Sequence, residues 1–314
     1  MKKSMHLVCA GLTLALSAWP VAAQDAGRAL GIFNSIIRPS QAPGSVMPGN
    51  PLGAFLPQAG GGRAGGADLI QMLTQSLDQI DEPREIEIGR QLAAVLLGSK
   101  PMHPDQALQR YVNQLGRWIS LQSARPQLPW TFAVLDDPGF NAFAAPGGYV
   151  FVTKGLIDRV DEAELAGILA HEITHVTDRH HLKALRAKAR AGIATQLLGS
   201  QLNSNVAGAV SAQLLSLGRD LYSSGLDQDD EFDADRNGVA LAASAGLDPY
   251  GLPSVLQQLR TAAPDNPLFT LSLRTHPAPQ LRLEQLELAM GNRLDRFAGQ
   301  PAMPLSQRLT SRRR

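Results

Sequence analysis

Apolar residues first recur at helical spacing between Glu85 and Leu97, where Ile86, Leu92, Val95 and Leu96 mark one face. A second helical pattern runs from about Asp105 to Leu121, with Leu108, Val112, Leu115 and Ile119 turned inward. The character then changes. Trp130 to Leu135 is a short β-prone run closed by Asp136-Asp137-Pro138-Gly139, a turn-forming group. Asn141 to Ala144 and Tyr149 to Val152 read as two more strands around the Pro146-Gly147-Gly148 turn. After Gly155 the pattern is helical again. A small sheet embedded among helices predicts a mostly helical α+β fold.

The ends have a different composition. Lys2 and Lys3, the apolar stretch from Leu7 to Trp19 and the small residues Val21-Ala22-Ala23 form an export signal, with cleavage expected after Ala23. Pro20 and the shortness of the apolar stretch argue against a membrane anchor, and Cys9 comes too early for a lipoprotein site. The only cysteine leaves with this segment, and the net charge changes from +1 to −1 with the loss of Lys2 and Lys3. Any metal site must then use His, Asp or Glu, and no basic field points to nucleic acid. From Pro39 to Gly66, 13 of 28 residues are Gly or Pro, so residues 24–81 read as a flexible linker or pro-region. Ala191 to Gly218 carries no charge, but its Gln and Asn residues disfavour a membrane span. A packed helical hairpin is expected there, covering a cleft or touching a membrane surface. Residues 301–314 form a basic tail.

The chemistry concentrates in His171-Glu172-Ile173-Thr174-His175. Asp161, Glu162 and Glu164 suit the start of a helix, and Leu165, Ile168, Leu169 and Val176 continue it. On such a helix two histidines four apart share a face and can grip one zinc ion, with Glu172 placed to act on a metal-associated water. A third ligand is needed. Glu231 and Asp235 share a face if Asp230 to Asp235 is helical, so Glu231 can bind metal while Asp235 orients an imidazole. A solvated acidic helix start, with Asp227, Asp229 and Asp230, explains the same residues. His103 is expected in an exposed loop, and His180 and His181 at the C-terminal end of the active helix, outside the ligand set.

The combination of His171-Glu172-x-x-His175, Glu231-x-x-x-Asp235, Thr275-His276-Pro277 and Arg282 resembles the M48 family of zinc metalloendopeptidases, and Asn141-Ala142-Phe143-Ala144 with Gly147-Gly148-Tyr149-Val150 matches the segment before its active helix. The resemblance covers roughly Glu82 to Asn292, within a metalloprotease domain placed at 82–300. It implies a zincin-type domain with one zinc held by His171, His175 and Glu231, Glu172 as general base and Asp235 behind a ligand. It implies that His276 and Arg282 lie near the reaction centre, with His276 also able to close the fourth zinc position. Asn141, Ala142, Phe143 and Ala144 would be the edge strand for substrate. The exported bacterial members imply a periplasmic quality-control enzyme acting on misfolded or unassembled envelope proteins, with peripheral contact to membrane or outer-membrane assembly machinery. No tetratricopeptide repeats follow Arg282. A non-cleaving chaperone using the same cleft and a zinc aminopeptidase are the competing readings.

Overall fold

The computed structural model describes residues 80–188, 225–263 and 266–299. The expected export signal, most of the expected 24–81 linker, the uncharged 191–218 stretch and the 301–314 tail lie outside the described residues. Among those described, no helix is long and apolar enough to cross a membrane.

Helix α1 spans Glu82–Ser99, with Asp81 capping its first turn and a proline at its start, where a missing N–H costs nothing. Helix α2, Gln106–Ser120, is capped by the Asp105 carboxylate. Three strands follow: β1 Thr131–Leu135, β2 Ala142–Ala145 and β3 Tyr149–Thr153. Each lies within a residue or so of its expected position. Their order is β1-β3-β2, with β1 parallel and β2 antiparallel to β3. After the single turn of α3, Lys154–Ile157, comes α4, Glu162–Thr177. Helices α5, Gln228–Ser244, α6, Gly251–Thr261, α7, Thr270–Thr275, and α8, Pro279–Met290, complete the domain.

Both faces of the sheet are covered, which is why its strands are apolar at nearly every position. Phe132, Val134, Ala142, Ala144, Val150 and Val152 face α2 and α4, while Ala133, Leu135, Ala145, Tyr149 and Phe151 face α1. Phe151 is wholly buried and stacks on Phe143, with ring centroids 5.1 Å apart. Truncating such a side chain to alanine costs about 3–5 kcal/mol. On α1 the expected inward set is partly displaced: Ile88, Ala93, Leu96 and Leu97 are buried, while Leu92 and Val95 line a cleft.

Helix α4 is the central element, buried from Glu164 to Val176. A capping box starts it: Asp161 accepts the Glu164 N–H at 2.8 Å and Glu164 accepts the Asp161 N–H at 2.9 Å. The other Glu164 oxygen takes Ser254 Oγ and Gln258 Nε2 of α6, so one carboxylate ties both helices. Helix α5 crosses α4 at Gly238, where an added Cβ would stand 2.9 Å from the Cα of His171. That close approach puts the start of α5 beside the imidazoles of α4.

Candidate metal centre

His171 and His175 lie four positions apart on the helix, so both imidazoles leave α4 on one side, and their Nε2 atoms stand 3.0 Å apart. Glu231, in the first turn of α5, completes the group. Its Oε2 is 3.7 Å from His171 Nε2, and its Oε1 is 3.5 Å from His175 Nε2. Burial removes the solvated reading of the acidic helix start for Glu231 and Asp235, each only 1% exposed. Solvation explains Asp227 and Asp229 instead.

The residues fit a divalent cation. Donor atoms of His171, His175 and Glu231 all lie within 4.8 Å of one another, and Glu231 Oε2 is buried with no hydrogen-bond partner. Burial pushes His171 down against the pull of Asp235, and holds His175 well below the usual imidazole range, so both rings are neutral. Two neutral imidazoles and a carboxylate make a donor set that zinc accepts.

The surrounding groups are equally ordered. Asp235 Oδ1 stands 2.9 Å from His171 Nδ1, away from the donor atom Nε2. Arg282, from the first turn of α8, grips Asp235 with Nε at 2.8 Å and Nη2 at 2.5 Å. Burial would raise the Asp235 carboxyl, yet the Arg282 charge and hydrogen bonds hold it far below the ordinary range. Arg282 therefore reaches His171 through Asp235. His276 caps the C-terminus of α7. Its Nδ1 lies 3.1 Å from the Ser272 carbonyl, which can only accept, so the proton sits on Nδ1 and the Nε2 lone pair faces Glu231 Oε2 at 3.7 Å.

Glu172 points into a cleft of about 410 Å³ that His175, Glu231, His276, Asn141 to Ala145, Leu92 and Leu96 also line. Among protein charges alone, burial and then the neighbouring Glu231 push its carboxyl up to about 8. Strand β2 runs along this cleft as an outer strand of the sheet, paired with β3 alone among the described residues. Thr153 donates its N–H to the Asn141 carbonyl, so the antiparallel alternation turns the N–H and C=O of Ala142 and Ala144 off the edge. Asn141 Oδ1 is buried on the same wall without a hydrogen-bond partner.

Several residues stand where the sequence did not place them. His103 is half-buried, with its N–H donated to the Val134 carbonyl. His180 and His181 follow the end of α4 rather than forming its last turn, and they stand outside the donor group of His171, His175 and Glu231. Arg179 takes a left-handed conformation, φ 58°, which ends that helix, and residues 180–188 form a new one packed on the site. Glu85, 1% exposed, holds Arg125 at 2.7 Å and Arg179 at 2.9 Å, tying α1 to this turn. Asp230 is buried beside Glu231. Only the charged residues on otherwise apolar or acidic stretches hinted at these roles.

A helix carrying two neutral imidazoles and an adjacent carboxylate, completed by a second helix's glutamate beside an outer sheet strand, defines a metallopeptidase-type centre. Comparison with known proteins places it more narrowly. Residues 103–289 match the model of peptidase family M48, and the chain belongs to that family. It is 32% identical over 223 residues to the beta-barrel assembly-enhancing protease of Escherichia coli (strain K12), covering 68% of this chain and 45% of that protein. A putative beta-barrel assembly-enhancing protease of Vibrio cholerae is 31% identical over 230 residues, 67% of this chain and 44% of that protein. The mitochondrial metalloendopeptidase OMA1 of Schizosaccharomyces pombe is 29% identical over 178 residues, 56% of this chain and 51% of the relative. The chain thus spans about half the length of these curated relatives.

Proposed function

We propose that this chain is a zinc-dependent endopeptidase of the bacterial envelope, periplasmic after cleavage behind Ala23, that hydrolyses misfolded or unassembled envelope proteins. One observation carries the reading: Glu172 stands beside the His171, His175 and Glu231 donor set, inside a cleft walled by an outer β-strand. The relatives named for β-barrel assembly support the envelope setting.

His171, His175 and Glu231 would hold the zinc, one per chain. When bound, it would supply a Lewis acid for the scissile carbonyl and lower the pKa of the attacking water. The edge of β2 binds an extended substrate segment through the outward N–H and C=O groups of Ala142 and Ala144, and Asn141 Oδ1 accepts a further substrate N–H. The Glu172 carboxylate takes the proton of the attacking water and returns it to the leaving nitrogen. Asp235, clamped by Arg282, keeps His171 in the tautomer whose Nε2 is free to ligate. His276 borders the same donor set, where it either meets the substrate or blocks the site at rest.

The test is incubation of the zinc-loaded protein with unfolded casein, with and without a chelator, beside Glu172→Gln. Internal cleavage products that vanish with the chelator and with Glu172→Gln are expected, while zinc content stays stoichiometric in the variant. A zinc-loaded wild type that binds casein without cutting it would favour the chaperone reading. Trimming from free N-termini alone would mark an aminopeptidase.

A further inference from the structure

His171 and His175 have different groups behind their Nδ1 atoms. His171 has Asp235 behind its Nδ1. Behind His175 Nδ1, at 3.0 Å, lies Nδ1 of His180. In an unbroken helix a residue five positions on would sit about 140° around the axis, on another face. The break at Arg179 removes that constraint. Its left-handed backbone, anchored by the Arg179 Nε–Glu85 contact at 2.9 Å, folds the chain back so that His180 returns under His175. A non-glycine residue at positive φ is uncommon, and here the fold holds it at the metal centre.

The hydrogen-bond direction follows from the chemistry of the site. For His175 to offer its Nε2 lone pair to a cation, its proton must be on Nδ1. That proton can only be donated to His180 Nδ1, which must therefore be unprotonated, and the neutral His180 ring carries its hydrogen on Nε2. This Nε2 faces Asp230 Oδ1 at 3.9 Å, beyond a direct hydrogen bond. The Asp230 carboxylate is steadied by Lys183 Nζ at 2.7 Å, and its second oxygen is buried with no partner. His180 itself is 5% exposed and stands outside the donor group formed by His171, His175 and Glu231.

We propose that His180 is a positioning residue for the metal centre, fixing the tautomer and orientation of His175 as Asp235 does for His171. The inference rests on the zinc reading of the site. It gives α5 a role beyond ligation, since Glu231 would bind the metal while Asp235 stands directly behind His171 and Asp230 lies 3.9 Å from His180, the residue behind His175. His180 acts through His175 and touches neither substrate nor cation.

The experiment measures zinc affinity by chelator competition in the full chain, wild type against His180→Phe and His180→Asn. Phenylalanine keeps the ring volume without an acceptor, whereas asparagine returns an oxygen near the Nδ1 position. His180→Phe is expected to bind zinc about 10–100-fold more weakly, and His180→Asn to recover to within about threefold of wild type. Nitrogen-15 shifts of the zinc-loaded wild type give a second readout that needs no variant. They should show His180 protonated at Nε2 and His175 at Nδ1. Equal zinc affinity in wild type and His180→Phe, an asparagine variant as weak as the phenylalanine one, or His180 protonated at Nδ1 would each overturn the proposal. A wild type that binds no zinc would bring down the enzyme reading and this inference together. Loss confined to the His180→Phe variant supports both.

Discussion

Arg282 holds Asp235 by two nearly parallel hydrogen bonds, 2.8 and 2.5 Å long, across helices α8 and α5. Both residues are buried, at 4% and 1% exposure, so neither charge is stable there without the other. Arg282→Ala should therefore cost about 3–5 kcal/mol and weaken metal binding through His171. Arg282→Lys should not restore either, because an ammonium cannot offer the planar fork. The Asp235 carboxyl is held far below its ordinary value of 3.8, so the pair's stabilisation is present above that pH and is lost as the pH falls below it. Denaturant unfolding at neutral and acid pH reads both effects, and a wild-type midpoint for Arg282→Ala would contradict them.

Glu172 gives the opposite sign. Its carboxyl is raised from 4.5 to about 8, so in protein stripped of metal its favourable, protonated contribution is complete below about pH 4.5 and is lost as the pH rises through about 8. Glu172→Gln cannot ionise and should escape that loss. At pH 8 the stripped variant should melt higher than stripped wild type, by about 2–4 °C for each kcal/mol relieved. Melting curves that fall in parallel between pH 5 and pH 8 would contradict the prediction.

Strand β2 can be tested without touching the metal. Ala144 turns its N–H off the sheet edge, away from its β3 partner Val150, so Ala144→Pro removes an outward donor while sparing the ladder. One hydrogen bond is worth about 0.5–1.5 kcal/mol, so casein cleavage should fall by about 2- to 13-fold with zinc affinity unchanged. A variant that cleaves at the wild-type rate would remove the edge from the mechanism.

Gly238 sets the spacing of the two ligand helices. A Cβ there would meet the His171 backbone at 2.9 Å, and α5 must shift to admit it. Gly238→Ala should move Glu231 away from the imidazoles and weaken zinc binding by about tenfold or more. Alanine favours helix over glycine by about 1 kcal/mol, so wild-type affinity in a folded variant would show that the crossing has slack.

Much of this was legible along the chain because it depends on local periodicity. The helix of His171 and His175 could be read from its acidic start and apolar repeat, and the three strands from β-prone runs between turn residues. Glu231 and Asp235 were legible only as alternatives, since a buried acidic face and a solvated one share the same spacing. Glu85 and Asp230 look like ordinary helix-start carboxylates, and their burial depends on partners 40 or more positions away, Arg125 and Lys183. The helix break that separates His180 and His181 from α4 was not legible, because nothing in the residues themselves announces the left-handed turn at Arg179.

Sequence by itself determined the chemical inventory: no cysteine after Cys9, two histidines one turn apart with a carboxylate between them, and three short β-prone runs. Those features follow from residue type and from the pitch of a helix, which neighbours do not alter. The tertiary structure decided which acids are buried, which oxygen faces which imidazole, and what stands behind each ligand. Such outcomes depend on desolvation and on contacts between distant segments, and both exist only once α5 has packed on α4 and α8 on α5.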